Sequence, residues 1–185
     1  MKKLLVILLA AFGALAGTAL AQDTNNLKTS LGVFEAQTGV ILVKCYAAVG
    51  SVAVGPSEIS VRYKETTNAG SGQKSYGLAI EIEGGLFPRA RILVDDEEID
   101  PLLNAINYLI KINYDVTSLP GFEASFTTKA GLRVIATGVR RDGGVLNWLQ
   151  YEDAPRLSLS SMQLSQFYGL VAQARKNLDA LKGTK

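Results

Sequence analysis

The chain has 185 residues, of which 48% are hydrophobic, and this is enough to bury one adequate core without disulfides. Its 19 Lys and Arg nearly balance 17 Asp and Glu, so there is no strong net charge to capture an acidic or basic partner. His is absent, which removes His-assisted Ser or Cys nucleophiles, His metal ligands and the usual acid-base residue together.

Lys2 and Lys3 precede an apolar run from Leu4, and Ala19 and Ala21 frame a cut before Gln22. Residues 1–21 thus have the pattern of a secretory signal peptide. Cleavage takes away two lysines and no acid, leaving 17 charges of each sign. No later segment has the length and apolarity of a membrane span. The expected location is the periplasm or the extracellular space. Residues 22–30 read as a polar, flexible N-terminus and residues 31–182 as a single α+β domain.

LGVFEAQ forms a short helical or extended lead-in. Four strands follow. The stretch from Gly39 to Ser51 is apolar on both faces, and Glu58 to Thr66 alternates Ile59, Val61 and Tyr63 against Ser60, Arg62 and Lys64. NAGSGQKSYG supplies a hairpin loop. Leu78 to Glu83 and Arg89 to Val94 complete the set. Ile99, Leu102, Leu103, Ile106, Leu109 and Ile110 then recur at helical spacing.

After Leu119-Pro120-Gly121 the order repeats: Phe122 to Thr127, Leu132 to Thr137, Val145 to Tyr151 and Arg156 to Leu159 read as strands. Leu164, Phe167, Leu170, Val171, Ala174 and Leu178 mark a closing helix. The fold class is α+β, with two successive antiparallel ββββα units forming one pseudo-symmetric domain. Unit one covers about residues 33–112 and unit two about 121–181. A constant offset of 65 pairs Ile92 with Leu157, Val94 with Leu159, Ile99 with Leu164, Leu102 with Phe167 and Ile106 with Val171.

The same offset explains VDDEEIDPLLNAI, the densest acid cluster. Asp95 with Glu98 has the spacing of a helix capping box, and Ser160 with Gln163 holds the matching positions in unit two. Asp96 and Glu97 suit the positive end of a helix dipole, and Pro101 falls early in the helix, where its missing donor costs little. No EF-hand spacing organises these oxygens, so no metal is expected, and no cofactor motif is present. Gly70, Gly72 and Lys74 lead into a strand rather than a helix, which argues for a hairpin over a phosphate loop.

Cys45 is the one cysteine and cannot close an intrachain disulfide. Within GVILVKCYAAVGSV it reads as a buried small hydrophobe, the alternative being a reactive thiol or an intermolecular bridge. Antiparallel pairing would set Arg62 and Lys64 beside Glu81 and Glu83, and these beside Arg89 and Arg91, as a neutralised solvated face. The remaining basic set is Lys129, Arg133, Arg140 and Arg141, with Trp148 and Tyr151 nearby. Aromatics beside cations can hold a nucleic-acid strand by stacking and phosphate contact.

Two ββββα units in one chain resemble the Whirly family of single-stranded DNA-binding proteins. Members carry Lys-Gly-Lys-Ala-Ala-Leu on an early strand. Here the segment is Lys44-Cys45-Tyr46-Ala47-Ala48-Val49, so Lys44, Ala47 and Ala48 match while the Gly and second Lys do not. The resemblance implies a fold of two packed sheets with helices between them, and nucleic-acid binding as one function. The residues themselves favour a non-enzymatic binding or assembly module of the bacterial cell envelope. Its partner would be an envelope protein or a second copy of itself; the alternative is nucleic-acid or polyanion binding through a sheet face of unit two.

Overall fold

The computed structural model describes residues 27–85 and 87–183. The predicted signal peptide and residues 22–26 lie outside that range. Helix α1, Ser30–Glu35, comes first, followed by strands β1 Leu42–Val54, β2 Ser57–Asn68, β3 Lys74–Gly84 and β4 Phe87–Asp95, then helix α2, Ile99–Lys111. Strands β5 Gly121–Thr127, β6 Leu132–Val139, β7 Gly144–Tyr151 and β8 Leu157–Leu159 lead to helix α3, Ser161–Gly183. Each set of four strands forms its own antiparallel meander, β1-β2-β3-β4 and β5-β6-β7-β8. The chain is therefore two successive ββββα units, as its pattern predicts.

One core joins the halves. Ile59, Val61, Ile80 and Ile92 of the first sheet and Val134, Ala136 and Leu149 of the second belong to a single buried cluster with α2 and α3. All five pairs related by the offset of 65 are buried there. The helices, however, are exchanged: α3 packs on β1 and β2, and α2 packs on β5 and β6 as well as against α3. Each sheet is thus covered by the helix of the other unit. Gly50, beside an irregularity in the β1–β2 register, allows this approach, because a Cβ there would lie 2.9 Å from Leu170 Cδ2.

Several sequence readings need correction. The polar start is ordered from Leu27 onward: Thr29 is buried and its hydroxyl accepts from Gly32 N at 2.9 Å, capping a helix that begins at Ser30. The hairpin loop is shorter than NAGSGQKSYG, since Lys74 to Gly77 already belong to β3, where the Lys74 ammonium meets Glu65 at 2.8 Å. Cys45 is exposed, because β1 is an edge strand and the helix above it reaches that point only with its last turn. Lys64, assigned to the solvated face, is 1% exposed, because α1 lies over that face of the sheet.

Candidate functional site

The acid run is an anchoring hub. Its carboxylates reach α1, the turn at Lys129 and α3, and Asp95 carries the most. Its side chain accepts from Ser30 N at 2.8 Å and Leu31 N at 2.9 Å in the first turn of α1, and from Lys129 Nζ at 2.9 Å. Burial alone would raise the Asp95 pKa, but the Leu31 and Ser30 amides and the Lys129 ammonium outweigh it and hold the carboxyl below its ordinary value. Asp95 N donates to Glu98 Oε2 at 3.3 Å, while Glu98 Oε1 accepts from Lys129 N at 2.7 Å. Asp96 pairs with Arg175 and Lys182 of α3, and Asp100 also reaches Arg175. No cluster suited to a metal ion occurs among the described residues. In unit two Ser160 N donates to Gln163 Oε1 at 2.8 Å and Gln163 N to Ser160 Oγ at 3.2 Å, a closed box made without charge.

A second polar cluster, unread in the sequence, fastens α1 to β2. Lys64 Nζ donates to Glu35 Oε1 at 2.5 Å, Thr66 Oγ1 donates to the same oxygen at 2.7 Å, and Asn68 Nδ2 donates to Gln37 Oε1 at 3.2 Å. Desolvation pushes the Glu35 carboxyl up, yet the Lys64 and Thr66 hydrogen bonds leave it below the ordinary value. The predicted charge rows beside it are partly realised. Arg62 and Arg91 flank Glu81 at 3.5 Å each, and Arg89 meets Glu83 at 3.4 Å.

The predicted polyanion residues do not converge. Lys129 sits in the turn before β6 and is held by Asp95 and by Glu97 at 2.7 Å; hydrogen bonds to Glu97 and Asp95 raise its pKa. Arg133 donates to Glu123 and Gln150, both at 3.3 Å. Arg140, at the far end of β6, donates to the carbonyls of Tyr114 at 3.1 Å and Thr117 at 3.0 Å and lies over the Tyr114 ring. Arg141 beside it is exposed. Trp148 is half-buried on the outer face of the second sheet, its indole N–H donating to Thr137 Oγ1 at 3.0 Å. Lys129 and Arg140 stand at opposite ends of a strand about 25 Å long, and each is already neutralised or tied down locally.

What the fold leaves open is an edge. Ala69 N donates to Ile41 O at 2.9 Å, and the register pairs Leu42 with Asn68, so Ile41, Val43, Cys45 and Ala47 direct their main-chain groups toward β2. Leu42, Lys44, Tyr46 and Ala48 direct theirs away from the sheet, where they have no partner among the described residues. Their surroundings are apolar, with Ile41 74%, Val43 48% and Tyr46 59% exposed. Beyond the register irregularity the edge is partly covered, since Gln163 Nε2 donates to Ala53 O at 2.8 Å.

No family model, curated protein or solved structure matches the chain. The likeness to Whirly proteins therefore rests on the order of the elements.

The other three sheet edges are blunted in recognisable ways. β4 carries Arg89 and Arg91, β5 has seven residues with Glu123 among them, and β8 has three residues. β1 has thirteen residues, and its one charge, Lys44, is drawn toward Glu35 at 3.4 Å.

Proposed function

We propose that this protein is a non-enzymatic, exported binding or assembly module of the bacterial cell envelope, which acts by adding a partner's strand to the free edge of β1. The observation that carries the reading is the row of unpaired outward main-chain groups at Leu42, Lys44, Tyr46 and Ala48. Such a row gives affinity through backbone hydrogen bonds, and flanking side chains give selectivity. Export is supported by the charge and apolar pattern of residues 1–21. The non-enzymatic part is supported by the lack of His and by the engagement of Asp95, Asp96, Glu97, Glu98 and Asp100 in structural ion pairs and hydrogen bonds.

The test is photo-crosslinking in intact cells from a benzoylphenylalanine placed at Val43, with Arg141 as the comparison position, followed by osmotic-shock fractionation. A discrete adduct from Val43 in the shock fluid, and none from Arg141, is the expected result. Adducts from Arg141 alone, together with salt-sensitive retention on heparin that is lost on replacing Arg140 and Arg141, would instead establish the polyanion reading.

A further inference from the structure

We infer that the strand added to β1 comes from a second copy of this chain, paired antiparallel about a two-fold axis at Cys45. This rests on the strand-addition reading and specifies its partner. The free, regular part of the edge runs from Leu42, where β1 begins, to Ala48, where the register breaks. Its midpoint is Cys45. An antiparallel pair with its axis there uses the whole free stretch in both copies, and no other centre does.

The alternation of main-chain groups fits this centre. Leu42, Lys44, Tyr46 and Ala48 point outward, so they must form the hydrogen-bonded pairs of the new ladder: Leu42 opposite Ala48 of the second copy and Lys44 opposite its Tyr46. Cys45 then faces Cys45 in a non-hydrogen-bonded pair, with Cα atoms about 4.5 Å apart. That spacing lies within the range a disulfide spans.

The side chains agree with the backbone. On one face each Lys44, held beside Glu35 at 3.4 Å, meets Tyr46 of the other copy, whose exposed ring already carries Arg62 at 5.5 Å, rather than a second Lys44. On the other face the exposed Val43 meets the half-buried Ala47, an apolar pair, and Cys45 is exposed between them. A centre at Lys44 would oppose two ammonium groups, which destabilises a sheet. The product is a continuous eight-stranded sheet in which the β1 edges no longer exist.

The experiment uses the purified protein. Sedimentation equilibrium should give twice the monomer mass, and Tyr46→Pro, which removes an outward N–H without touching the β2 ladder, should weaken the dimer at least about tenfold. Cys45→Arg, at an exposed position, keeps the fold and opposes two charges across the axis, weakening the dimer by about fivefold. Register is read in a Cys45→Ser background with oxidised glutathione as oxidant. Each cross-link releases two protons and passes two electrons to one glutathione disulfide, giving two glutathione thiols. A mixture of Val43→Cys and Ala47→Cys should cross-link, whereas Val43→Cys alone should not, because its two copies lie about 14 Å apart along the strands.

A monomer at every concentration, or a dimer unaffected by Tyr46→Pro and Cys45→Arg, would overturn the inference. If the monomer is found together with a Val43 photo-adduct to a different polypeptide, self-pairing fails and strand addition stands. If no adduct forms either, both fail.

Discussion

Strands β1 to β4 run 13, 12, 11 and 9 residues, whereas β5 to β8 run 7, 8, 8 and 3. The first sheet is covered by α3 on one face and, in part, by α1 on the other, and Ala79 and Leu93 are buried beneath Leu31 on that second face. The outer face of the second sheet carries Trp148, Arg133 and Leu146 and, among the described residues, no helix. The two halves share a core pattern but divide the work. The shorter one supplies α3 and the Lys129 turn that lock the structure, and the longer one holds the acid hub and the only long unblunted edge among the described residues.

The most severe way to break that comparison is to separate the halves. A chain ending after Asn113 and another beginning at Leu119 would each strip the exchanged helix from a sheet, exposing Leu102 and Ile106 in one and Phe167 and Val171 in the other. Neither should show a cooperative thermal transition by circular dichroism, and mixing them should restore one. A half that melts cooperatively alone would show that the exchange of helices is incidental.

Lys64→Ala tests the covering of the second face of the first sheet, which has no counterpart in unit two among the described residues. It takes the buried cation from Glu35 and leaves only the half-exposed Lys44 at 3.4 Å, at a cost toward the lower end of about 3–5 kcal/mol in urea unfolding. Joint replacement of Lys64 by Met and Glu35 by Gln should recover most of that loss, since no unpaired charge remains.

Asp95 and Ser160 stand at equivalent positions of the two units, so their substitutions compare the halves directly. Asp95→Ala removes the acceptor for two amides and for Lys129 and should cost about 2–3 kcal/mol. Ser160→Ala removes only a local cap, at about 1 kcal/mol. The folded-state pKa of Asp95 is depressed, so its contribution is complete above its ordinary value of 3.8 and disappears as pH falls through the lower folded value. Asp95→Asn should therefore be less stable at pH 7 but flatter in its acid limb below about pH 4, measured by urea titration across pH. Equal losses at Asp95 and Ser160 would remove the distinction between hub and cap.

The smallest effect is expected at Arg141. It is exposed, and Arg141→Ala should move stability by no more than about 0.5 kcal/mol in either direction. The same substitution should leave the Val43 photo-adduct unchanged.

Much of the architecture was legible because alternation and helical spacing follow from burying one face of each element. Ile59 and Val61 point inward for that reason, and so do Leu164, Phe167, Val171 and Leu178. The edge position of β1 was available to pattern reasoning, although Cys45 was read as buried, since consecutive antiparallel pairing in a four-strand meander puts the first strand at a border. The openness of that border was not. An apolar run such as Val40 to Ala48 has the same letters whether its flank meets a helix or water. Lys64 was misplaced for the converse reason: a polar residue in an alternating strand reads as solvated unless a separate segment folds over it, and α1 lies 29 positions away from it at Glu35.

By itself the sequence determined the order of the strands and of the two long helices, the repeat and the positions of the caps before α2 and α3, because each is fixed by contacts within a few residues or by a period. Only the tertiary structure decided which helix covers which sheet, which acid holds which element and which strand edge stays open. Those outcomes depend on segments far apart in the chain meeting in space, and local pattern carries no term for that meeting.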